Sequence, residues 1–297
     1  MNRPVLLSIV IVNYNTKSLL IQCVESVVKN VTKYDYEIIV VDNNSTNGSK
    51  EFLQKSVGIK AILNNQNIGF ARANNTGIRE SVGEYVLILN SDTVILPGSL
   101  DRMIEYMINN RNVGVLGPKI VDENNEISQS SWDFMPTIIW ENVRKLFSPE
   151  YVRRYKILSR ALDFRQRKIR EVPVLSGACM LIRRNVFATS GFLDENFFLY
   201  FEEPDFCARA KKYGWKVVFF PYANIIHLLG KSMEKVGDKT QIYYRQSQLY
   251  YYRKYRPRIE QQILKYYLYL KYKIKLLFAN TTNRSIYNEI IKIVQKW

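Results

Sequence analysis

The carboxylates best placed for chemistry fall at three points in this sequence: Asp42, Asp92, and the close group Glu202, Glu203 and Asp205. Asp92 follows the short apolar run Tyr85–Leu89, in the stretch EYVLILNSDT. A carboxylate just beyond the carboxyl end of a buried strand sits where open α/β sheets bind ligands. It is a hard oxygen donor suited to Mg2+ or Mn2+, and such an ion commonly bridges to phosphate. Its plainer reading is an ordinary strand-to-turn aspartate. Asp42 ends another apolar run, Tyr36–Val41, and could accept hydrogen bonds from a nucleobase or ribose. Equally, Asp42-Asn43-Asn44-Ser45 could cap the next helix. Glu202, Glu203 and Asp205 are set among Phe198, Tyr200, Phe201 and Phe206. Apolar surroundings and like-charged neighbours both raise a carboxylate's pKa, which suits a general base. The same acids would stabilise the start of a helix over Cys207–Tyr213, and a base at a helix start is rigidly presented, so both readings can hold. The only histidine, His227, closes a strand-like run, Val217–Ile226. A lone histidine is more often structural than a ligand.

The elements needed to position these groups are legible as alternation. Leu6–Val12 (LLSIVIV) reads as a buried strand that breaks at Asn13-Tyr14-Asn15. Ser18–Asn30 carries Leu19, Leu20, Cys23, Val24, Val27 and Val28 at helical spacing, and Tyr36–Val41 is the next strand. Asn64–Gly77 is rich in Asn and Gly and leads through Ile78 to the strand at Tyr85. The pattern predicts an α/β, doubly wound, parallel sheet with a ligand crevice at its strand ends. No GxGxxG follows the first strand and no GxxxxGK[ST] is present, which disfavours a dinucleotide-binding enzyme and a P-loop NTPase. Further on, Leu100–Asn109 fits a helix and Val113–Val121 a strand. Val172–Arg183 reads as a strand interrupted at Ser176-Gly177-Ala178, where a glycine marks either close approach of a ligand or another backbone, or a simple bulge.

The chain has 297 residues and a net charge of +16, which predicts an anionic partner. Its 3 cysteines are widely spaced and include no CxxC pair, so neither a disulfide frame nor a zinc site is expected, and a reducing compartment is. The apolar run near the N-terminus is interrupted at Asn13 and reads as a strand rather than a signal peptide. No apolar stretch is long enough to span a membrane.

Taken in order, SIVIVNYN, EIIVVDNNS, NQNIGFARANNTG, YVLILNSDT, VLSGACMLIRR, GFLDENFFLYFEEPDFCARAKKYGW and IIHLLGKS resemble the family 2 glycosyltransferases of the GT-A fold. The likeness runs over roughly residues 6–233 and is to the branch that includes bacterial rhamnosyltransferases and galactofuranosyltransferases. It implies a GT-A domain (Rossmann-like, with a mainly parallel central sheet and flanking helices) over residues 1–235. It further implies inverting transfer from a nucleotide sugar, with dTDP-rhamnose as donor and a UDP-sugar (galactofuranosyl, glucosyl or N-acetylhexosaminyl) as the alternative. On the family's pattern Glu203 stands where the catalytic Asp usually lies, with Glu202 and Asp205 as supporting acids. Asp92 and His227 would hold Mn2+ or Mg2+. Asn13, Asp42, Asn67, Arg72 and Asn74 would frame the nucleotide. Ser91, Gly177, Ala178, Lys231 and Ser232 would meet the donor sugar or diphosphate. The sequence departs from the commoner Asp-x-Asp in having Asn90, which implies one strong carboxylate ligand and looser metal dependence.

Residues 236–297 read as a basic, helical extension. Gln241–Trp297 has 12 Lys/Arg against 2 acids, interleaved with tyrosines and aliphatics. This pattern predicts an interfacial helix pair on an anionic membrane surface, or an extension packed on the catalytic domain with its basic face in water. Glu141–Arg170 is a second basic stretch, either a solvated surface or a flank of the acceptor groove. No nucleic-acid motif supports nucleic-acid binding. The expected setting is cytoplasmic, peripheral at the inner face of the cell membrane, with a glycan or lipid-linked glycan as acceptor. The competing class is a non-catalytic nucleotide-sugar or membrane-binding protein of the same fold.

Overall fold

Strand β1 (Leu7–Asn13) is apolar on both faces, and that places it inside the sheet. Leu7, Ile9 and Ile11 enter one core while Val10 enters the other. Near-continuous hydrophobic strands of this kind belong to parallel sheets covered by helices on both sides. A computed structural model describes residues 5–31, 33–141, 166–228 and 239–297.

From β1 the chain runs through α1 (Lys17–Asn30), β2 (Tyr36–Asp42), α2 (Ser49–Lys55), β3 (Ile59–Leu63), α3 (Phe70–Arg79) and β4 (Tyr85–Asn90). Next come β5 (Thr93–Ile95), α4 (Ser99–Asn109), β6 (Val113–Val121), β7 (Ser131–Trp132), β8 (Arg170–Glu171), β9 (Val174–Leu175) and β10 (Cys179–Arg183). The rest is α5 (Arg184–Ser190), α6 (Glu202–Lys212), β11 (Lys216–His227), α7 (Thr240–Tyr255), α8 (Arg258–Leu277) and α9 (Thr281–Lys296). The main sheet has the order β3-β2-β1-β4-β10-β6-β11-β5, with β8 beside β11, and β7 pairs with β9 in a small ribbon.

The first four strands in that order are parallel, and so is the long β6–β11 ladder. Strand β10 is antiparallel to both β4 and β6, and β5 and β8 are antiparallel to β11. The sheet is thus mainly parallel, as expected, with antiparallel insertions in its second half. Helices α1 and α4 cover one face through Leu20, Cys23, Leu100 and Met103. Helices α3, α5 and α6 cover the other through Ala71, Ile78, Phe187 and Phe206. The three cysteines are free and buried.

Among the elements that escape the sequence pattern, β3 and α3 matter most for the site. The Asn- and Gly-rich stretch before Ile78 is largely helix α3, and strand β3 precedes it. Gly77 explains the departure. A Cβ there would stand 3.2 Å from Val41 Cγ2 and collide with Val10, so its absence lets α3 lie close on β1 and β2.

The C-terminal segment forms three helices rather than a pair. Its core includes Leu249, Tyr252, Leu268, Tyr272, Ile290 and Val294, together with Phe197 and Phe201 from the segment before α6. It therefore packs against the segment that leads into α6. No helix among the described residues is long and apolar enough to cross a membrane. Most of the Glu141–Arg170 basic stretch lies outside the described residues.

Candidate active site

The chain adds β2 and β3 to one side of β1 and then returns to place β4 on the other. That reversal is a topological switch point, where the loops after adjacent parallel strands part and leave a crevice. In register, Asn13 faces Asp42 across β1–β2, and Val12 faces Asn90 across β1–β4. The strand ends carrying the predicted residues are thereby brought together.

Asn13 and Asp42 lie fully buried behind the crevice wall. Asn13 Nδ2 donates to Asp42 Oδ2 at 2.7 Å and to Ser45 Oγ at 3.1 Å, and Ser45 N donates to Asp42 Oδ1 at 2.8 Å. Thr16 Oγ1 donates to Asn13 Oδ1 and lies 2.8 Å from Ser91 Oγ. Asp42 therefore closes a turn onto Ser45, while α2 starts later, after Gly48. The helix-capping alternative does not hold; the carboxylate instead anchors a polar network beneath the wall.

That wall includes Tyr14, Thr16, Asn43, Asn67, Asn90, Ser91 and Asp92. Asn67 Oδ1 accepts from Gly69 N at 3.0 Å, which shapes the entry to α3. Arg72 and Asn74 are placed elsewhere. Arg72 is exposed and pairs with Glu195 at 3.1 Å, and Asn74 donates back to Phe70 O within α3. The neighbour Asn75 makes the longer reach, exchanging hydrogen bonds with the Leu193 backbone and so tying α3 to the segment leading into α6.

Asp92 meets His227 because β5 starts immediately after it and runs antiparallel to the end of β11, pairing Thr93 with His227. Leu228 N donates to Asp92 O at 2.9 Å, and His227 Nε2 lies 3.1 Å from Asp92 Oδ1. Asp92 is 1% exposed. Nearby in the wall, Asn90 Oδ1 is buried without a hydrogen-bond partner among the described residues. A carboxylate beside an imidazole, and an orphaned amide oxygen on the same crevice wall as the carboxylate, are donor types that would suit Mn2+ or Mg2+. Among the described residues no group of three or more His, Cys, Asp and Glu could hold an ion by itself. Lys231 and Ser232 lie outside the described residues.

The acid group begins α6 at Glu202, one turn earlier than its apolar pattern suggests. Tyr200 and Phe201 immediately before it have φ of 71° and 70°. Left-handed backbone costs a non-glycine residue roughly 1–2 kcal/mol. Ring contacts hold the pair: Tyr200 and Phe201 each meet Tyr244 edge-on, at 5.5 and 5.3 Å, and Phe201 tilts against Tyr251. Both tyrosines come from α7, so the extension braces the turn that presents the acids.

The three acids then diverge. Asp205 is fully buried and faces away from the crevice, accepting from Arg209, Tyr255 at 2.7 Å and Lys254 at 2.6 Å. Glu202 is buried; burial first, and then the Glu203 charge, push its carboxyl well above the usual range. Glu203 borders both the crevice and a second groove lined by Trp132, Trp140, Phe201, His227 and Tyr244. Gly177 N donates to Glu203 Oε1 at 3.2 Å. A Cβ on Gly177 would stand 2.8 Å from Glu203 Cγ, so the glycine makes room for this carboxylate rather than, as expected, for a sugar alone. Ala178 is buried behind it, its carbonyl accepting from Asn90 N at 3.0 Å.

The sequence offered no signal for the aromatic groove, whose walls come from an unpatterned stretch around Trp132 and from Tyr244 on α7. Thr16 and Asn43 sit one to three residues past strands already singled out, and strand ends are the cue that could have found them.

A mainly parallel sheet with a crevice at its switch point, an Asp92–His227 pair and a carboxylate shared with a second groove form a GT-A type domain. Residues 8–191 match the glycosyl transferase family 2 model, and the chain belongs to that family. Its catalytic domain is that of a glycosyltransferase. The N-acetylglucosaminyl-diphospho-decaprenol L-rhamnosyltransferase of Mycobacterium tuberculosis is 27% identical over 208 residues, covering 66% of this chain and 67% of that protein. The dTDP-rhamnosyl transferase RfbF of Shigella flexneri is 24% identical over 230 residues, covering 76% of this chain and 70% of the relative. Among solved structures, GalNAc-T7 with UDP, GalNAc and Mn2+ superposes with a TM-score of 0.59 at 17% identity. That likeness covers all of this chain, which spans 57% of the solved one.

Proposed function

We propose that this chain is an inverting glycosyltransferase that moves rhamnose from dTDP-rhamnose to a hydroxyl of a lipid-linked bacterial surface glycan. The observation that carries the reading is the position of Glu203, on the wall shared by the donor crevice and the aromatic groove. An acceptor sugar in the groove stacks on Trp132, Trp140 or Tyr244, and its hydroxyl comes within reach of Glu203. Glu203 takes the hydroxyl proton as the oxygen attacks the anomeric carbon, the bond from that carbon to the diphosphate breaks, and the nucleoside diphosphate leaves. Asp92 and His227 would hold a divalent ion, which would supply Lewis-acid stabilisation of the departing diphosphate. Tyr14, Asn43 and Asn67 flank the nucleotide, with Asn13 and Asp42 fixing the wall behind, and Ser91 and Gly177 border the diphosphate and sugar. The donor sugar and the lipid-linked acceptor are inferred from the named rhamnosyltransferases.

The basic extension favours a place at an anionic membrane surface.

Substitution Glu203→Gln tests the assignment. Transfer should fall by about 10²–10⁴-fold, the usual contribution of a general base, while donor affinity stays near that of the parent. Transfer at the parental rate would remove Glu203 from the role.

A further inference from the structure

Between α7 and α8 lies a cavity of about 310 Å3 whose walls carry Arg245, Lys271 and Lys275. We propose that it binds a diphosphate, that of the lipid carrier on which the acceptor sugar is borne. This rests on the glycosyltransferase reading above and adds to it the site that recognises the acceptor's carrier.

The cavity's charge is set towards an anion. Arg245 Nε donates to Tyr272 Oη at 3.1 Å, and its guanidinium lies 4.9 Å from the Tyr244 ring centre. Lys275 Nζ stands over Tyr272 and Tyr287, at 5.7 and 5.4 Å. Among the described residues these two cations meet tyrosines and the Gln248 amide. Among the described residues Glu141 is the acid on this wall, and its carboxylate accepts from Tyr244, Gln248 and Tyr252. Cations held against aromatic faces keep N–H groups available for phosphate oxygens.

Position gives the second argument. Glu203 borders the donor crevice and the aromatic groove, while Tyr244 and Glu141 border the groove and this cavity. Tyr200 borders all three. Beyond the cavity, Tyr267 belongs both to its lining and to an exposed apolar row on α8 that includes Ile263, Leu270, Ile274 and Leu277. Leu277 is 77% exposed. These residues recur at three- and four-residue intervals, so they share one helix face. Outward from the base, the surfaces suit a sugar, then phosphates, then hydrocarbon. A sugar linked through diphosphate to a polyprenyl lipid presents the same groups in the same order.

The test is calorimetric titration of the full chain with farnesyl diphosphate in EDTA, alongside the variants Lys271→Gln/Lys275→Gln, Arg245→Gln and Asp92→Asn. The proposal predicts saturable binding to the parent and to Asp92→Asn alike, and a loss of about tenfold or more in the cavity variants, from charge-assisted hydrogen bonds removed. Farnesol should not saturate, and inorganic pyrophosphate should bind more weakly than farnesyl diphosphate. Displacement of farnesyl diphosphate by dTDP would place the diphosphate in the donor crevice and overturn the proposal. So would undiminished binding by the cavity variants. Pyrophosphate binding as tightly as farnesyl diphosphate would make this a free-phosphate site and overturn the lipid assignment. Each variant is checked for a donor-dependent rise in Tm. If donor still raises Tm but farnesyl diphosphate does not bind the parent, this inference fails and the glycosyltransferase reading stands. If farnesyl diphosphate binds but no nucleotide sugar does, the reverse holds.

Discussion

Glu202 and Glu203 differ in what surrounds them, and that difference has measurable consequences. Glu202 is 2% exposed, and burial together with the Glu203 charge keeps its carboxyl protonated well above the ordinary range. Unfolded, it ionises near 4.5; folded, it holds its proton to higher pH. The native state then binds more protons across that interval, so stability falls as pH rises through it. Glu202→Gln removes this loss. Its Tm should gain on the parent's as the pH is raised from about 5 to about 8, whereas parallel melting curves would refute the sign. Gly177→Ala probes the other carboxylate. The new methyl meets the flexible Glu203 side chain rather than backbone, so the protein should fold and melt near the parental temperature. Transfer should still fall towards the Glu203→Gln level, because the carboxylate is pushed from its position against Gly177 N. Full activity in Gly177→Ala would mean that this hydrogen bond does not set the base.

At the scale of elements, the site depends on the turn before α6 and on the helix that braces it. Lys254 of α7 bridges Asp194 Oδ2 at 2.7 Å and Asp205 Oδ1 at 2.6 Å. Burial works against the Asp194 charge, but hydrogen bonds from Lys254, Asn196 and Tyr250 bring its pKa down to about 2. Lys254→Met should cost about 3 kcal/mol, the low end for breaking a buried pair, because Arg209 and Tyr255 remain on Asp205. Urea unfolding measures this, and an unchanged midpoint would contradict the bracing role. The main strands were legible because each is an unbroken apolar run closed by a polar residue, as at Val41-Asp42 and Leu89-Asn90. Helix α3 was not, since Asn74, Asn75 and Gly77 weaken its propensity while tertiary contacts of Asn75 and Gly77 supply what propensity lacks. The split among the acids was equally hidden. Sequence shows three neighbouring carboxylates, whereas only packing assigns Asp205 to α7, sets Glu202 in the buried back of the crevice, and places Glu203 where the crevice meets the aromatic groove.

Over the whole molecule, one order of strands explains where the chemistry sits. Placing β4 beside β1 opens the crevice, β5 carries Asp92 to His227 at the end of β11, and the extension closes the far wall of the groove. The Asp92–His227 meeting was anticipated only through the family resemblance, because no local pattern joins positions so distant in the chain. The charge excess was visible from composition, but the packing of the extension was not: Tyr251, Tyr252, Leu264, Leu268 and Tyr272 point inward, while Ile263, Tyr267, Leu270, Ile274 and Leu277 of α8 stay outside. The central claim, a metal-assisted nucleotide-sugar site in this crevice, is tested most directly by thermal shift with dTDP-rhamnose and UDP-sugars, each with and without Mn2+. Ligand at about a hundredfold over Kd adds about 2.7 kcal/mol, which for a chain of this size raises Tm by roughly 5 °C. The account predicts such a rise with dTDP-rhamnose, larger with Mn2+ and reduced in Asp92→Asn. No shift with any nucleotide sugar, with or without the ion, would contradict it.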